Sequence, residues 1–163
     1  MNRIILLATT TLCLAIGLSG TATAQTTKDL VGTWTLVAST NVGQDGRKID
    51  VWGPNPKGMY AFDDKGHFVI VNARPDLPKF VSNNRNQGTP DENKAIVQGS
   101  LSLYGTYSVA DKVLMYKVEG SSWPAWTGTD QKRTIISFTG DELTYTLPGS
   151  IGGTSETKIR RLK

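Results

Sequence analysis

Cysteine and histidine are almost missing from this sequence of 163 residues. It contains one cysteine, Cys13, and one histidine, His67. A disulfide framework is therefore excluded, and a metal site of histidine and cysteine ligands lacks donors. A nucleophile–histidine–acid triad could draw only on His67, which directly follows a turn pattern typical of an exposed hairpin residue. We predict no catalytic residue, no metal and no cofactor.

Basic blocks and phosphate-binding loops are missing as well. The formal net charge is +4, 20% of the residues are charged and 38% are hydrophobic, as in ordinary globular proteins. Most acidic residues stand singly in predicted turns, so a carboxylate metal site has no basis. The densest basic cluster alternates with apolar residues, which indicates a strand rather than a nucleic-acid surface; it consists of Lys158, Arg160, Arg161 and Lys163. We expect no nucleic-acid partner.

The N-terminal segment has the order of a secretory signal peptide. Arg3 precedes an apolar run over residues 4–18, and a small-x-small pattern ends at Ala24. The alternative, a transmembrane anchor, needs a longer run to cross about 30 Å of hydrocarbon. Leu12 stands before Cys13 where a lipoprotein would have a small residue. We predict a signal peptide over residues 1–24, a domain over residues 25–163 without a membrane span, and a periplasmic or secreted location.

The remaining chain alternates apolar and polar residues with a period of two, which is typical of strands. Three tight turns, at residues 63–66, 110–112 and 139–141, each join two such segments into a predicted hairpin. In the first strand this alternation puts Trp34, Leu36 and Ala38 on one face. Eight strands are predicted, over residues 31–42, 58–62, 67–73, 101–109, 113–119, 132–138, 142–147 and 154–162.

Eight antiparallel strands joined by short hairpins predict an all-β fold, an up-and-down barrel. Closure removes the two exposed edges that an open sheet would have. A two-sheet sandwich is the alternative, but the succession of hairpins without a long crossover favours the barrel. At this strand number the interior is either filled by side chains or holds one small ligand.

One segment has the signature of a helix, and it lies between the third and fourth strands. Thr89, Pro90 and Glu92 form a capping box, and Gly99 supplies the stop. With the loop before it, this helix makes a connection that is long for a compact domain, and such connections are often lids. We predict that residues 77–99 fold across one barrel mouth and gate a cavity.

The first strand opens with Gly32-Thr33-Trp34, which resembles the Gly-x-Trp pattern of lipocalins and other calycins. More specific segments resemble the bacterial lipocalin-like domain family over nearly the whole mature chain; they are residues 52–58, 74–80, 89–94, 104–107 and 119–124. The resemblance implies the barrel fold and no particular activity. It also implies that Trp34 closes the barrel floor beneath an arginine of the last strand, either Arg160 or Arg161.

Two arginines are candidate anchors for a ligand. Arg74 and Asn72 share one face of the third strand and reach a barrel mouth if that face points inward. An arginine there would hold a carboxylate or phosphate through two N–H groups. The alternative is a structural arginine that pairs with Asp76 or Glu119. Arg133 is the second candidate for this polar contact.

Aromatic and acidic residues complete the candidate site. Trp123 and Trp126 lie in one loop and either plug the barrel end or line a pocket. Tyr104 and Tyr107 lie on opposite faces of a strand, so one of them points inward. Glu119 ends the fifth strand, where a lone carboxylate is usually solvated.

These observations favour an exported protein that binds a small apolar or amphipathic molecule in the barrel. One alternative is a small isomerase or cyclase, in which Glu119 with Arg74 or a tyrosine would transfer protons. Another is a filled barrel that serves as a structural or protein-interaction module. Fold alone does not choose among them.

Overall fold

This computed structural model describes residues 25–149 and 152–163 of the chain. They contain ten strands, two helices and one 3-10 turn, joined by loops. The predicted signal peptide lies outside these residues. The helices are α1 (Thr27–Leu30) and α2 (Pro90–Gly99), and the 3-10 turn is Pro124–Trp126. The strands are β1 (Gln25–Thr26), β2 (Gly32–Val42), β3 (Lys48–Asp50), β4 (Lys57–Phe62), β5 (His67–Ala73), β6 (Ser100–Asp111), β7 (Val113–Ser121), β8 (Asp130–Phe138), β9 (Glu142–Pro148) and β10 (Thr154–Arg161).

Eight of these strands close into an antiparallel barrel. Pairing runs in chain order from β2 through β4, β5, β6, β7, β8 and β9 to β10, and β10 pairs again with β2. The predicted up-and-down barrel is confirmed, and the two-sheet alternative is wrong. Strands β1 and β3 only extend β6 and β2. These two strands are two and three residues long, which is too short for a period-two pattern to predict them from the sequence.

A bulge in β2 changes which side chains enter the barrel. Leu36 pairs with Ile159, and the next pair joins Ala38 to Lys158, so Val37 is the extra residue. Trp34 and Leu36 point inward, but Ala38, which alternation predicts on the same face, does not, because the bulge moves the inward positions by one residue. Beyond the bulge, Ser39 and Asn41 are buried instead.

Large aromatic side chains fill the end of the barrel where β2 begins. Phe68 stacks on Tyr116 with ring centroids 4.2 Å apart, and Phe62 meets Tyr107 edge-on at 4.9 Å. Trp34 is fully buried beside them. Such ring pairs stabilise the core beyond the effect of burial alone. This end of the interior is therefore packed solid.

Trp34 and Arg161 seal this closed end. The Trp34 Nε1–H donates to the Leu30 carbonyl at 2.8 Å, and the guanidinium of Arg161 lies 4.2 Å from the Trp34 ring centroid. Arg161 donates further to the carbonyls of Val31, Asp29 and Gly140. A side chain at Gly32, where φ is +130°, would collide with this guanidinium.

Of the two arginines considered for this role, only Arg161 fulfils it. The expectation for Arg160 is wrong, because inward positions alternate along β10 and Arg160 falls on the outer face. There it is exposed and donates to the carboxylate of Glu142 at 2.8 and 3.0 Å.

Helix α2 begins at the predicted capping box. The Glu92 N–H donates to the Thr89 hydroxyl at 3.3 Å, while the Glu92 carboxylate accepts from the backbone N–H groups of Thr89 and Val81. These hydrogen bonds lower the pKa of Glu92. Leu77 packs against Gly99 at the end of the helix. The connection thus folds back on itself beside the open end of the barrel.

The seal at the closed end predicts different consequences for the two adjacent arginines. Replacing Arg161 by Ala removes the cation over Trp34 and three hydrogen bonds from a charged donor, and we expect it to lower the free energy of unfolding by about 2 to 3 kcal/mol. Replacing Arg160 by Ala removes only an exposed ion pair and should change stability little. Urea denaturation measures both. Equal losses in the two variants would contradict the assignment of Arg161 to the seal.

Candidate functional site

A cavity of about 60 Å³ lies inside the barrel, towards the open end. It is more polar than the packed end, because serine, threonine, asparagine, arginine and tyrosine side chains point into it. They come from six different strands. These polar lining residues are Ser39, Tyr60, Asn72, Arg133, Tyr145, Ser155 and Thr157.

A wider groove of about 520 Å³ lies at the open mouth. Four parts of the chain form it: β3 with the connection that follows it, Arg74 directly after β5, the last turn of α2 with the start of β6, and the loop between β7 and β8. Its lining is mainly apolar, with exposed edges of aliphatic and tryptophan side chains. The apolar lining residues are Ile49, Val51, Trp52, Ile96, Val97, Leu101, Trp123 and Trp126.

The inner cavity and the outer groove adjoin each other. Four residues line both spaces, namely Val51, Trp52, Leu101 and Trp126. A molecule that lies in the groove therefore has only this apolar ring between it and the polar interior. The arrangement suits a molecule with an apolar body and a polar end.

In the described part of the chain, Arg133 is the only charged side chain that lines the inner cavity, and it is just 3% exposed. Its guanidinium lies 4.1 Å from the ring centroid of Tyr116 and 6.0 Å from that of Tyr145. One nitrogen, Nη1, donates to the Gln131 carbonyl at 3.0 Å, while Nε is buried without a hydrogen-bond partner. Within the described residues no carboxylate pairs with this cation.

Neutral hydroxyl and amide groups surround the cation. Asn72 Nδ2 donates to the Tyr60 hydroxyl at 3.0 Å, but Asn72 Oδ1 has no partner. Burial raises the pKa of Tyr60 well above its ordinary value. Burial also raises the pKa of Tyr145, against the opposing effect of the Arg133 charge. Both phenols therefore remain protonated at neutral pH and can donate hydrogen bonds.

Arg74 and Asn72 share one face of β5, as the alternation predicts, and the structure shows that this face points towards the open mouth. Asn72 reaches the inner cavity, whereas Arg74 lines only the outer groove. Arg74 donates to both carboxylate oxygens of Asp76 at 3.0 Å, which is the structural pairing considered as the alternative. This bond raises the pKa of Arg74 and lowers that of Asp76.

Two predicted site residues lie on the outer wall. Tyr104 is 53% exposed and packs over Gly120 outside the barrel. Its inward counterpart is Tyr107, at the closed end, where its hydroxyl donates to backbone carbonyls of Thr27 and Asp63. Glu119 is exposed on the outward face of β7. The expectation that Tyr104 and Glu119 line a ligand site is wrong. Their side chains point outward, because the inward positions of β6 and β7 are those of neighbours such as Leu103 and Val118.

The two loop tryptophans take different places in the groove. Trp126 is half-buried and belongs to the ring between groove and cavity, whereas Trp123 is 49% exposed and lines only the groove. The last turn of α2 adds Ile96 and Val97 to the same groove. The segment over residues 77–99 thus reaches the mouth, and its role as a gate stays a prediction.

Tyr60, Tyr145, Ser39 and Thr157 are cavity residues that sequence reasoning missed. A signal for the tyrosines exists in the sequence. Tyr60 lies two residues from Phe62, and Tyr145 two residues from Leu143, so each tyrosine shares a strand face with an apolar core residue. The Ser39 hydroxyl lies 3.1 Å from that of Thr157. Its inward position depends on the bulge in β2, for which the sequence carries no clear signal.

Metal and membrane features are not found in the described part of the chain. Within residues 25–149 and 152–163, no group of three or more His, Cys, Asp or Glu side chains is placed to hold a metal ion. His67 is exposed, and its Nδ1 lies 2.8 Å from a carboxylate oxygen of Asp63. No helix in this part has the length and hydropathy to cross a membrane.

Comparison with protein families places the chain. The family model for the lipocalin-like domain matches residues 31–161. The chain belongs to the lipocalin-like domain family. No curated protein matches this lipocalin-like chain in a sequence comparison.

Two designed barrels are similar to this lipocalin-like domain in structure. One, a redesigned β-barrel, is 12% identical with a TM-score of 0.47, and the match covers 86% of this chain and 98% of the other. The second, a de novo designed fluorescence-activating β-barrel, is 14% identical with a TM-score of 0.44, covering 83% and 96%. The fold itself is established by the strand pairing described above.

Proposed function

We propose that this protein is exported and binds a small amphipathic molecule. The polar end of the molecule would enter the cavity around Arg133, and its apolar body would lie in the groove at the mouth. The observation that carries this proposal is the contact between the two spaces through a shared ring of apolar residues. A lipocalin-like barrel has the capacity to bind a ligand. The position of this ring supports an orientation in which the polar end of the ligand points into the barrel and its apolar body lies in the groove.

The sizes of the two spaces support such a division of the ligand. Pockets for small molecules usually measure about 300 to 1,000 Å³ and are mostly apolar with a few polar groups. The inner cavity of about 60 Å³ has room for an end group alone. The groove of about 520 Å³ has room for the rest.

The alternatives receive less support. A proton-transferring enzyme would need a base at the ligand, but Glu119 lies on the outer wall and the inner tyrosines Tyr60 and Tyr145 are held protonated by burial. A completely filled barrel would be more stable with an apolar side chain of the same volume in place of Arg133, because burying an unpaired cation costs free energy. The buried cation therefore argues against a purely structural barrel.

Export is the second part of the proposal, and it is supported by the residue order at 1–24. We expect processing after Ala24, so that the protein recovered from the periplasm or the medium of its own host starts at Gln25. N-terminal sequencing of that protein measures this directly. Recovery of the unprocessed chain from the cytoplasm would contradict export.

Binding in the groove predicts that Trp123 matters and that the exposed aromatic of the outer wall does not. Replacing Trp123 by Ala should weaken the binding of decanoate about tenfold, because a large apolar contact in the groove is lost. Tyr104→Ala is the matched control, since Tyr104 is equally exposed and lies outside the groove. Isothermal titration calorimetry at neutral pH gives both affinities.

Two outcomes would count against the proposed function. One is that the folded wild-type protein binds neither decanoate nor an uncharged amphiphile of the same length, 1-decanol. The other is the same affinity in both variants, which would place the ligand elsewhere than in the groove.

A further inference from the structure

We infer that the polar end of the ligand is a carboxylate, bound by the guanidinium of Arg133 inside the barrel. This inference rests on the proposed function and names the chemical class of the ligand. It predicts a monocarboxylic acid with an apolar body.

The first reason is the uncompensated charge. An arginine stays protonated in proteins, so the 3% exposed Arg133 carries a full positive charge in the barrel. Buried charges are normally paired, because transfer from water to a medium of low polarity is costly. Among the residues that the structure describes, no acidic side chain lines the inner cavity, and the polar groups next to the guanidinium, the Gln131 carbonyl and the Tyr145 hydroxyl, are neutral. An anion supplied by a ligand would provide the missing partner.

The second reason is the free hydrogen-bonding capacity of the same group. Arg133 Nε–H is buried and lacks an acceptor. A guanidinium offers its N–H groups in a planar fork that matches the two oxygens of a carboxylate. Stacking on Tyr116, which itself stacks on Phe68, holds the plane of this fork in place. The donor is thus oriented before a ligand arrives.

The third reason concerns which anion fits. Of the residues described, Arg133 is the only cation that lines the inner cavity, so it neutralises one negative charge. A phosphate monoester carries about −1.5 to −2 at neutral pH and would leave an excess of charge in the barrel. The protonated hydroxyls of Tyr60 and Tyr145 can donate to a carboxylate oxygen without adding charge. A monoanion with an apolar tail therefore suits the cavity and the groove together.

The test compares decanoate, 1-decanol and decyl phosphate, which differ only at the polar end. For the wild-type protein we expect decanoate to bind roughly ten to a hundred times more tightly than 1-decanol, the range for hydrogen bonds to a charged group. In Arg133→Met this preference should disappear, with the affinity for 1-decanol unchanged or higher. Arg133→Lys keeps the charge but not the fork and should retain part of the preference.

Folding and charge are controlled separately. Arg160→Met removes an arginine outside the cavity and should leave the preference for decanoate intact. Without ligand, Arg133→Met should melt no lower than the wild-type protein, because it removes a buried charge that has no partner. If Arg133→Met nevertheless fails to fold, Arg133→Lys and the three probes on the wild-type protein still decide the question.

The outcomes separate this inference from the proposed function. Equal binding of decanoate and 1-decanol to the wild-type protein would overturn the carboxylate and leave an amphipathic ligand in place. Tighter binding of decyl phosphate than of decanoate would also overturn it. Binding of none of the three to the folded protein would overturn both.

Discussion

The narrow interior of an eight-stranded barrel is the constraint on which the rest of the structure depends. A barrel of this size has room for one set of inward side chains or for one small ligand. The size of the side chain at each inward position therefore decides whether that part of the interior is filled or stays open as a cavity. Here aromatic side chains around Trp34 and Tyr116 fill one end, and shorter polar side chains such as Ser39, Ser155 and Thr157 leave space at the other.

The difference between the two ends gives the barrel a direction. At the closed end, Arg161 satisfies backbone carbonyls and covers Trp34, so solvent is kept out. At the open end, the long connections that leave β2 and β5 bring Trp52 and the end of α2 over the mouth. Arg133 lies between these regions, stacked on the aromatic core on one side and facing the cavity on the other. The same stacking that packs the core thus positions the cation.

Much of this architecture could be predicted from the sequence, because it depends on local patterns. Hairpin turns such as residues 63–66 and the capping box at Thr89 are encoded by neighbouring residues, and the structure has both. Alternation also groups Asn72 with Arg74 correctly. These features need only a short stretch of chain to be recognised.

The placement of the site was harder to predict, because it depends on contacts that are distant in the sequence. Both faces of β5 are largely apolar, so alternation alone could not show which face points inward. The bulge at Val37 brings Ser39 into the cavity, and it is visible only in the pairing of β2 with β10. For the same reason Tyr104 and Glu119 were expected at the ligand, although their strands turn them outward.

The most direct test of carboxylate binding by Arg133 is a crystal structure of the protein with bound decanoate. We predict that the carboxylate lies about 3 Å from the guanidinium nitrogens of Arg133, the distance of a charged hydrogen bond, with the alkyl chain passing Trp126 into the groove. A complex in which Arg133 keeps only its backbone partner, and the carboxylate lies at Arg74 or on the outer wall, would contradict it.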